Sequence, residues 1–131
     1  MKIKLTSVYV TDHDKALRFY TEVLGFKKKS DFTKGPYRWL TVISPEDPDG
    51  CELQLALNDN PAAKAYQQAR FEQKQPAVMF NSDDIKGECE RIKSRGGVFT
   101  MPPTDVTGST IAMIDDTCGN LVQITQLTWK Q

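Results

Sequence analysis

One histidine and three cysteines are all the imidazole and thiol groups that 131 residues carry. Cys51, Cys89 and Cys118 are odd in number and widely spaced, so neither a disulfide framework nor a zinc cluster is indicated, and three reduced thiols are expected, one or two of them in the core. Charge of one sign is missing too. Lys and Arg number 17 against 17 Asp and Glu, which leaves no net field to draw nucleic acid or an anionic membrane surface. No apolar run approaches the ~18 residues of a membrane span, and the first residues enter strand pattern without an apolar leader. The absence of low-complexity tracts, with 39% hydrophobic and 26% charged residues, excludes disordered and collagen-like classes. The expectation is a soluble, cytoplasmic chain of one domain, able to bury a core without metal or disulfide staples.

What is present is alternation. Cys51 to Leu57 places Cys51, Leu53, Leu55 and Leu57 on one face and Glu52, Gln54 and Ala56 on the other, the pattern of a strand packed on one side. Ile3 to Val10 alternates similarly, with Leu5, Ser7 and Tyr9 opposite Thr6, Val8 and Val10. Thr11 to Asp14 supplies helix N-cap chemistry, Ala16, Phe19, Tyr20 and Val23 follow at helical spacing, and Gly25 ends the helix. Strands are predicted over 26–32 and 37–43 around a turn at 33–36, and a helix over 62–71 rich in Ala and Gln.

The second half repeats the first. A strand over 77–82, a helix capped by Asp83-Asp84 and ended by Gly96-Gly97, a strand from Val98 to Met101 ended or distorted by Pro102-Pro103, and strands over 110–114 and 121–127 give β-α-β-β-β again. Residues 1–131 thus read as a single domain with module one at 1–57, a connecting helix and linker at 58–76 and module two at 77–127. The fold class expected is α+β.

Val10-x-Asp12-x-x-x-Ala16-Leu17-x-Phe19-Tyr20-x-x-x-Leu24-Gly25-Phe26, then Asp83-Asp84-Ile85 with Gly96-Gly97-Val98, then Ile114-Asp115-Asp116-Thr117-Cys118-Gly119-Asn120 before a final strand, resembles the vicinal oxygen chelate superfamily. That group includes glyoxalase I, extradiol dioxygenases, fosfomycin-resistance enzymes and bleomycin-resistance proteins. The resemblance covers nearly the whole chain and implies two βαβββ modules whose curved mixed sheets surround a cup-shaped cavity. Thr117 stands where the family has a proline, so a departure in local turn geometry is expected there.

In metal-dependent members, the resemblance implies four ligands from the first and last strands of each module. Carried over, these positions are Leu5, Glu52, Ala77 and Gln123. Divalent metals of this kind want imidazole, thiolate or carboxylate, typically three from the protein. One carboxylate, one amide and two aliphatic side chains fall short, so no metal and no other cofactor is expected. His13 is read as a solvated residue at a helix N-terminus. The cup lining carried over includes Ser7 and Tyr9, Glu52, Gln54 and Ala56, Ala77, Met79 and Asn81, and Leu121, Gln123 and Thr125. From it the candidate ligand-binding residues are Tyr9, Trp39, Glu52, Gln54, Met79, Asn81 and Gln123. A one-residue slip exchanges Trp39 with Arg38, and which of them faces the cup stays open.

Glu52 is the one candidate catalytic group, as a general base. An equally weighted reading makes it a structural hydrogen-bonding partner of Gln123 or Tyr9. Lys27 to Lys29 read as the solvated side of an edge strand, and Asp47-Pro48-Asp49-Gly50 and Asp115-Asp116 as turn chemistry. Two functions follow: a protein binding a small, partly apolar molecule without a catalytic metal, or a lyase or dioxygenase of the same superfamily, metal-assisted or using Glu52. The balanced charge argues against cationic bleomycin as the ligand. The family habit implies a homodimer, and neither module-swapped nor unswapped pairing is favoured.

Overall fold

The computed structural model describes residues 1–129. Module one contains β1 (Leu5–Val10), α1 (His13–Arg18), β2 (Lys27–Lys34), β3 (Tyr37–Ile43) and β4 (Glu52–Leu57). A connecting helix α2 (Pro61–Glu72) leads to β5 (Val78–Asn81), α3 (Ile85–Ser94), β6 (Val98–Val106), β7 (Ser109–Asp115) and β8 (Leu121–Leu127). The two four-stranded sheets have the same topology, β1-β4-β3-β2 and β5-β8-β7-β6. In each, the first and last strands pair in parallel and the other neighbours are antiparallel. The fold is α+β with two mixed sheets, as the repeat predicts.

Period-2 alternation decides which face packs. Val8 and Val10, Leu40 and Val42, and Leu53 and Leu55 are buried beneath Ala16, Phe19 and Tyr20, while Ala112, Ile114, Val122 and Ile124 are buried beneath Ile85, Cys89 and Ile92. These form one continuous core across both modules. Full burial of each large aliphatic side chain contributes roughly 1.5–3 kcal/mol. At the junction Phe26 meets Phe80 edge to face, with centroids 4.9 Å apart. The opposite faces of both sheets, bearing Tyr9 and Met79, stay open.

Asp12 caps α1, accepting from the Lys15 backbone N–H at 3.0 Å, and Asn60 and Asp84 cap the other two helices in the same way. After Arg18 the helix widens into a π-helical turn over Phe19–Val23, with the Leu24 N–H donating to the Phe19 carbonyl. Gly25, at φ +89°, then reverses the chain as expected. Two expectations are corrected. β1 begins at Leu5 rather than Ile3. Cys51 is exposed and precedes β4 instead of packing beneath it. Of the two outcomes open at Pro102-Pro103, distortion holds: β6 runs on to Val106, because it is an edge strand whose outer N–H groups need no partner and its register shifts at Phe99/Met101 and Met101/Thr104 absorb the irregularity.

The two modules are also tied by a buried polar network that the turn reading of Asp116 did not anticipate. Asp116 has no exposed surface. Its Oδ2 accepts from the Tyr20 hydroxyl at 2.8 Å and from Asn120 Nδ2 at 2.7 Å, and its Oδ1 accepts from the backbone N–H groups of Cys118 and Asn120 at 2.7 and 2.9 Å. Asn120 Nδ2 also donates to the Tyr9 carbonyl at 2.7 Å. The Gln67 amide on α2 donates to the carbonyls of Tyr9 and Cys118, both at 2.9 Å, and accepts from Asn58 at 2.7 Å. Thr117 takes φ +62°, a conformation that a proline ring forbids. Gly119 at φ +95° is required in a second way, since a Cβ there would lie 2.7 Å from Gln67 Nε2.

Burial pushes the Asp116 carboxyl above its ordinary value of 3.8, against the pull of its donors, and burial followed by the adjacent Asp116 charge raises the Tyr20 hydroxyl. A carboxyl raised in the folded state holds its proton more tightly there than when unfolded. Its contribution is full below about pH 4 and declines as pH rises through the raised native value. Urea denaturation from pH 3.5 to 7 therefore should show wild type losing stability relative to Asp116→Asn as pH rises; a gain instead would contradict this linkage. The thiols give a second check. Cys89 and Cys118 are buried and pushed up to about 11 by burial, whereas Cys51 is exposed. An aromatic disulfide reagent at pH 8 should titrate one thiol per folded chain and three after denaturation.

Candidate functional site

The open face of the first sheet is set by register. Leu5 lies opposite Glu52, Ser7 opposite Gln54 and Tyr9 opposite Ala56 on the parallel β1–β4 pair, and Thr41 lies opposite Gln54 on β3. Paired residues share a face, so Ser7, Tyr9, Thr41, Glu52, Gln54 and Ala56 form one surface. On it the fully buried Thr41 hydroxyl donates to Glu52 Oε1 at 2.8 Å and accepts from the Ser30 backbone N–H at 3.1 Å. Glu52 is half-buried and its partner is Thr41, in place of the Gln123 or Tyr9 expected. Ser7 Oγ donates to Gln54 Oε1 at 2.8 Å.

By register Trp39, and not Arg38, lies on the open face, while Arg38 joins Gln54 and Ala56 around a groove at its edge. Trp39 alternates onto the face of Thr41, whereas Arg38 shares the helix side with Leu40 and Val42. There its guanidinium grips Asp31 through Nε and Nη2 at 2.9 and 3.0 Å and reaches Asp14 at 2.8 Å. Those hydrogen bonds hold the Asp31 carboxyl below the usual carboxylate range. His13 is also corrected. It is half-buried, its Nε2 is shielded from solvent with no hydrogen-bond partner among the described residues, and it borders a groove of about 260 Å³ with Tyr37, Gln54 and Ala56.

A larger cavity of about 400 Å³ lies against Ser7, Tyr9, Gln54 and Ala56. Its other walls are Tyr66, Gln67 and Arg70 of α2 and, from the second half, Ala77 and Asn120. Of the expected ligand-binding residues it brings together Tyr9 and Gln54. Glu52 and Trp39 lie on the same sheet face outside it. Met79 and Gln123 pair across β5 and β8 on the second sheet, Gln123 donating to Thr125 at 3.1 Å. Asn81 borders a separate cleft of about 330 Å³ with Phe26, Phe80 and Arg95. The seven are dispersed because the modules of one chain meet through their helix-covered faces, which leaves the two open faces apart.

Sequence reasoning missed Thr41, Tyr66, Gln67, Arg70 and Asn120. A signal existed on α2: Ala63, Gln67 and Arg70 recur at i, i+4 and i+7, one helix face, and Ala63 and Gln67 are its buried residues. Glutamine at a core position announces a buried polar partner.

The four positions of the family metal site do not assemble a fitting donor set. Leu5 and Ala77 carry no donor atom, and Gln123 contributes a neutral amide. Among the described residues no group of three or more His, Cys, Asp and Glu side chains comes together.

A sequence profile of the Glyoxalase/Bleomycin resistance protein/Dioxygenase superfamily matches residues 2–124. The chain belongs to that superfamily. It is 53% identical over 126 residues to the uncharacterized protein YurT of Bacillus subtilis (strain 168), covering 96% of this chain and 99% of that one. It is 29% identical over 133 residues to a probable lactoylglutathione lyase of Vibrio cholerae, covering 95% and 90%. Among solved structures it is similar to TnmS3, an antibiotic binding protein from Streptomyces sp. CB03234, with a TM-score of 0.78, 26% identity and coverage of 98% and 97%.

The Thr41–Glu52 bond is directly measurable. A double-mutant cycle of Thr41→Val and Glu52→Ala, read by urea denaturation, should give a coupling of about 1.5 kcal/mol, the low end for a hydrogen bond to a charged group. Additive losses would show that the two side chains do not act on each other.

Proposed function

We propose that this protein binds a small, partly apolar molecule on the open face of its first sheet, without a catalytic metal. The observation that carries this reading is the cavity of about 400 Å³ against Ser7, Tyr9, Gln54 and Ala56, mixed in polarity as ligand pockets are. The missing donors at Leu5, Ala77 and Gln123 support a metal-independent role, and the similarity to an antibiotic binding protein supports sequestration as its form. Trp39 and Glu52 extend the binding surface beyond the cavity.

A second copy completes the site. Leu5, Tyr9, Phe32 and Tyr37 on the first sheet and Met79 and Leu127 on the second are all exposed, an apolar load that a homodimer would cover. In such a dimer Met79, Asn81 and Gln123 of one chain reach the ligand held by the other. The free thiols fit a reducing, cytoplasmic location.

The second reading is an enzyme of lyase or dioxygenase type, favoured by the similarity to a probable lactoylglutathione lyase and by the half-buried Glu52 held by Thr41. Glu52 would then accept a proton from the substrate. The two separate in one screen. Chelator-treated protein should be dimeric by light scattering, show saturable binding of hydrophobic aromatic compounds by calorimetry, and give no turnover with or without added Mn²⁺, Ni²⁺ or Zn²⁺. Metal-dependent turnover abolished by Glu52→Gln would establish the enzyme, and a monomer binding with unchanged affinity would remove the second copy from the site.

A further inference from the structure

We propose that the molecule held in the Tyr9–Gln54 cavity is an anion, an aromatic carboxylate or a group of like shape, recognised by Arg70. This deepens the binding reading above and rests on it. Among the cavity's lining residues Arg70 carries the one formal charge, and none is Asp or Glu. Arg70 is half-buried and makes no ion pair among the described residues, unlike Arg38 and Arg91. One contact fixes it: Nη2 donates to the Pro76 carbonyl at 2.8 Å, anchoring the guanidinium at the end of α2. Its Nε has no hydrogen-bond partner among the described residues and is covered by protein atoms, so what reaches a ligand is the charge of the group, with Nε–H a reporter beside it.

A guanidinium has five N–H donors in a planar fork, and removing it from water without a counter-charge is unfavourable. An anionic ligand relieves that cost with charge-assisted hydrogen bonds, which a neutral ligand supplies more weakly. The rest of the wall has the same bias. Because Ser7 Oγ donates to Gln54 Oε1, the Gln54 NH₂ group is turned away from that bond and has no acceptor among the described residues. Gln67 and Asn120 direct their amide donors to protein carbonyls and add no negative charge. Tyr9 and Tyr66 place phenol rings on two sides, both more than a third exposed, so flat apolar surface stands beside the donors. Aromatic body and carboxylate head together match this wall.

The test uses the whole protein and a matched pair of probes, 2-naphthoate and 2-naphthamide, followed by calorimetry and by ¹⁵N NMR that includes arginine Nε–H and glutamine side-chain resonances. Wild type should bind the naphthoate about tenfold or more tightly than the amide, as hydrogen bonds to a charged group require. The naphthoate should also move the Arg70 Nε–H and Gln54 side-chain signals. Arg70→Met should erase the preference and Arg70→Lys restore part of it. Should the Met variant fail to fold through loss of the Pro76 contact, the wild-type preference and the Arg70 signal decide alone. Equal affinities, with shifts at Tyr9 and Gln54 for both probes, would overturn the anion inference and leave the binding reading standing. A preference that survives Arg70→Met overturns it as well. Failure of both probes to move the cavity signals would overturn the inference and count against the binding reading too.

Discussion

The carboxylate of Asp116 is the constraint on which the arrangement of the two modules depends. It is buried, collects four hydrogen bonds, and holds the β7–β8 turn against Tyr20 of the first module. A buried polar group of this kind specifies one packing, because any other would strand its donors. Apolar burial draws the two halves together, and it would tolerate many relative placements. The bonds from Tyr20, Asn120 and Gln67 select one.

The same network shapes the candidate site. Asn120 and Gln67 both donate to the Tyr9 carbonyl, fixing the backbone of the strand whose side chain borders the cavity. Gln67 also seats α2 close to the first sheet, which brings Tyr66 and Arg70 to the cavity wall. A helix that looks like a connector is thereby a wall of the site. On one helix face Gln67 is turned to protein while Arg70 borders the cavity with no ion-pair partner among the described residues.

Much of this was legible in the chain, for identifiable reasons. Period-2 alternation put Glu52, Gln54 and Ala56 on one face and Leu53 and Leu55 on the other, since a strand offers only two faces. The repeated helix stops at Gly25 and Gly96-Gly97 marked the two modules. Buried polar residues were harder to read: helical spacing marks the face that Gln67 shares with Ala63, but nothing local marks Asp116 as buried. Asp116 sits in Asp-Asp-Thr-Cys-Gly-Asn, a stretch that any solvent-exposed hairpin could carry, and Gln67 lies in an Ala- and Gln-rich helix of low hydropathy. Asp116 bonds locally to Cys118 and Asn120, but its tie to Tyr20 spans 96 residues, and Gln67 meets Tyr9 and Cys118 across 58 and 51, which no local pattern encodes. At Pro102-Pro103 the sequence left open whether the strand is distorted or ended, because edge position in a sheet, which lets it continue, is a tertiary property.

The central claim is that the open face of the first sheet, and no metal centre, receives the ligand. A crystal structure of chelator-treated protein grown with a bound aromatic compound tests it most directly. Ligand density against Tyr9, Gln54 and Tyr66, with no metal coordinated by Glu52, is the expected result. A divalent ion coordinated by Glu52 and bridging to the ligand, with the Thr41 hydrogen bond broken, would contradict it.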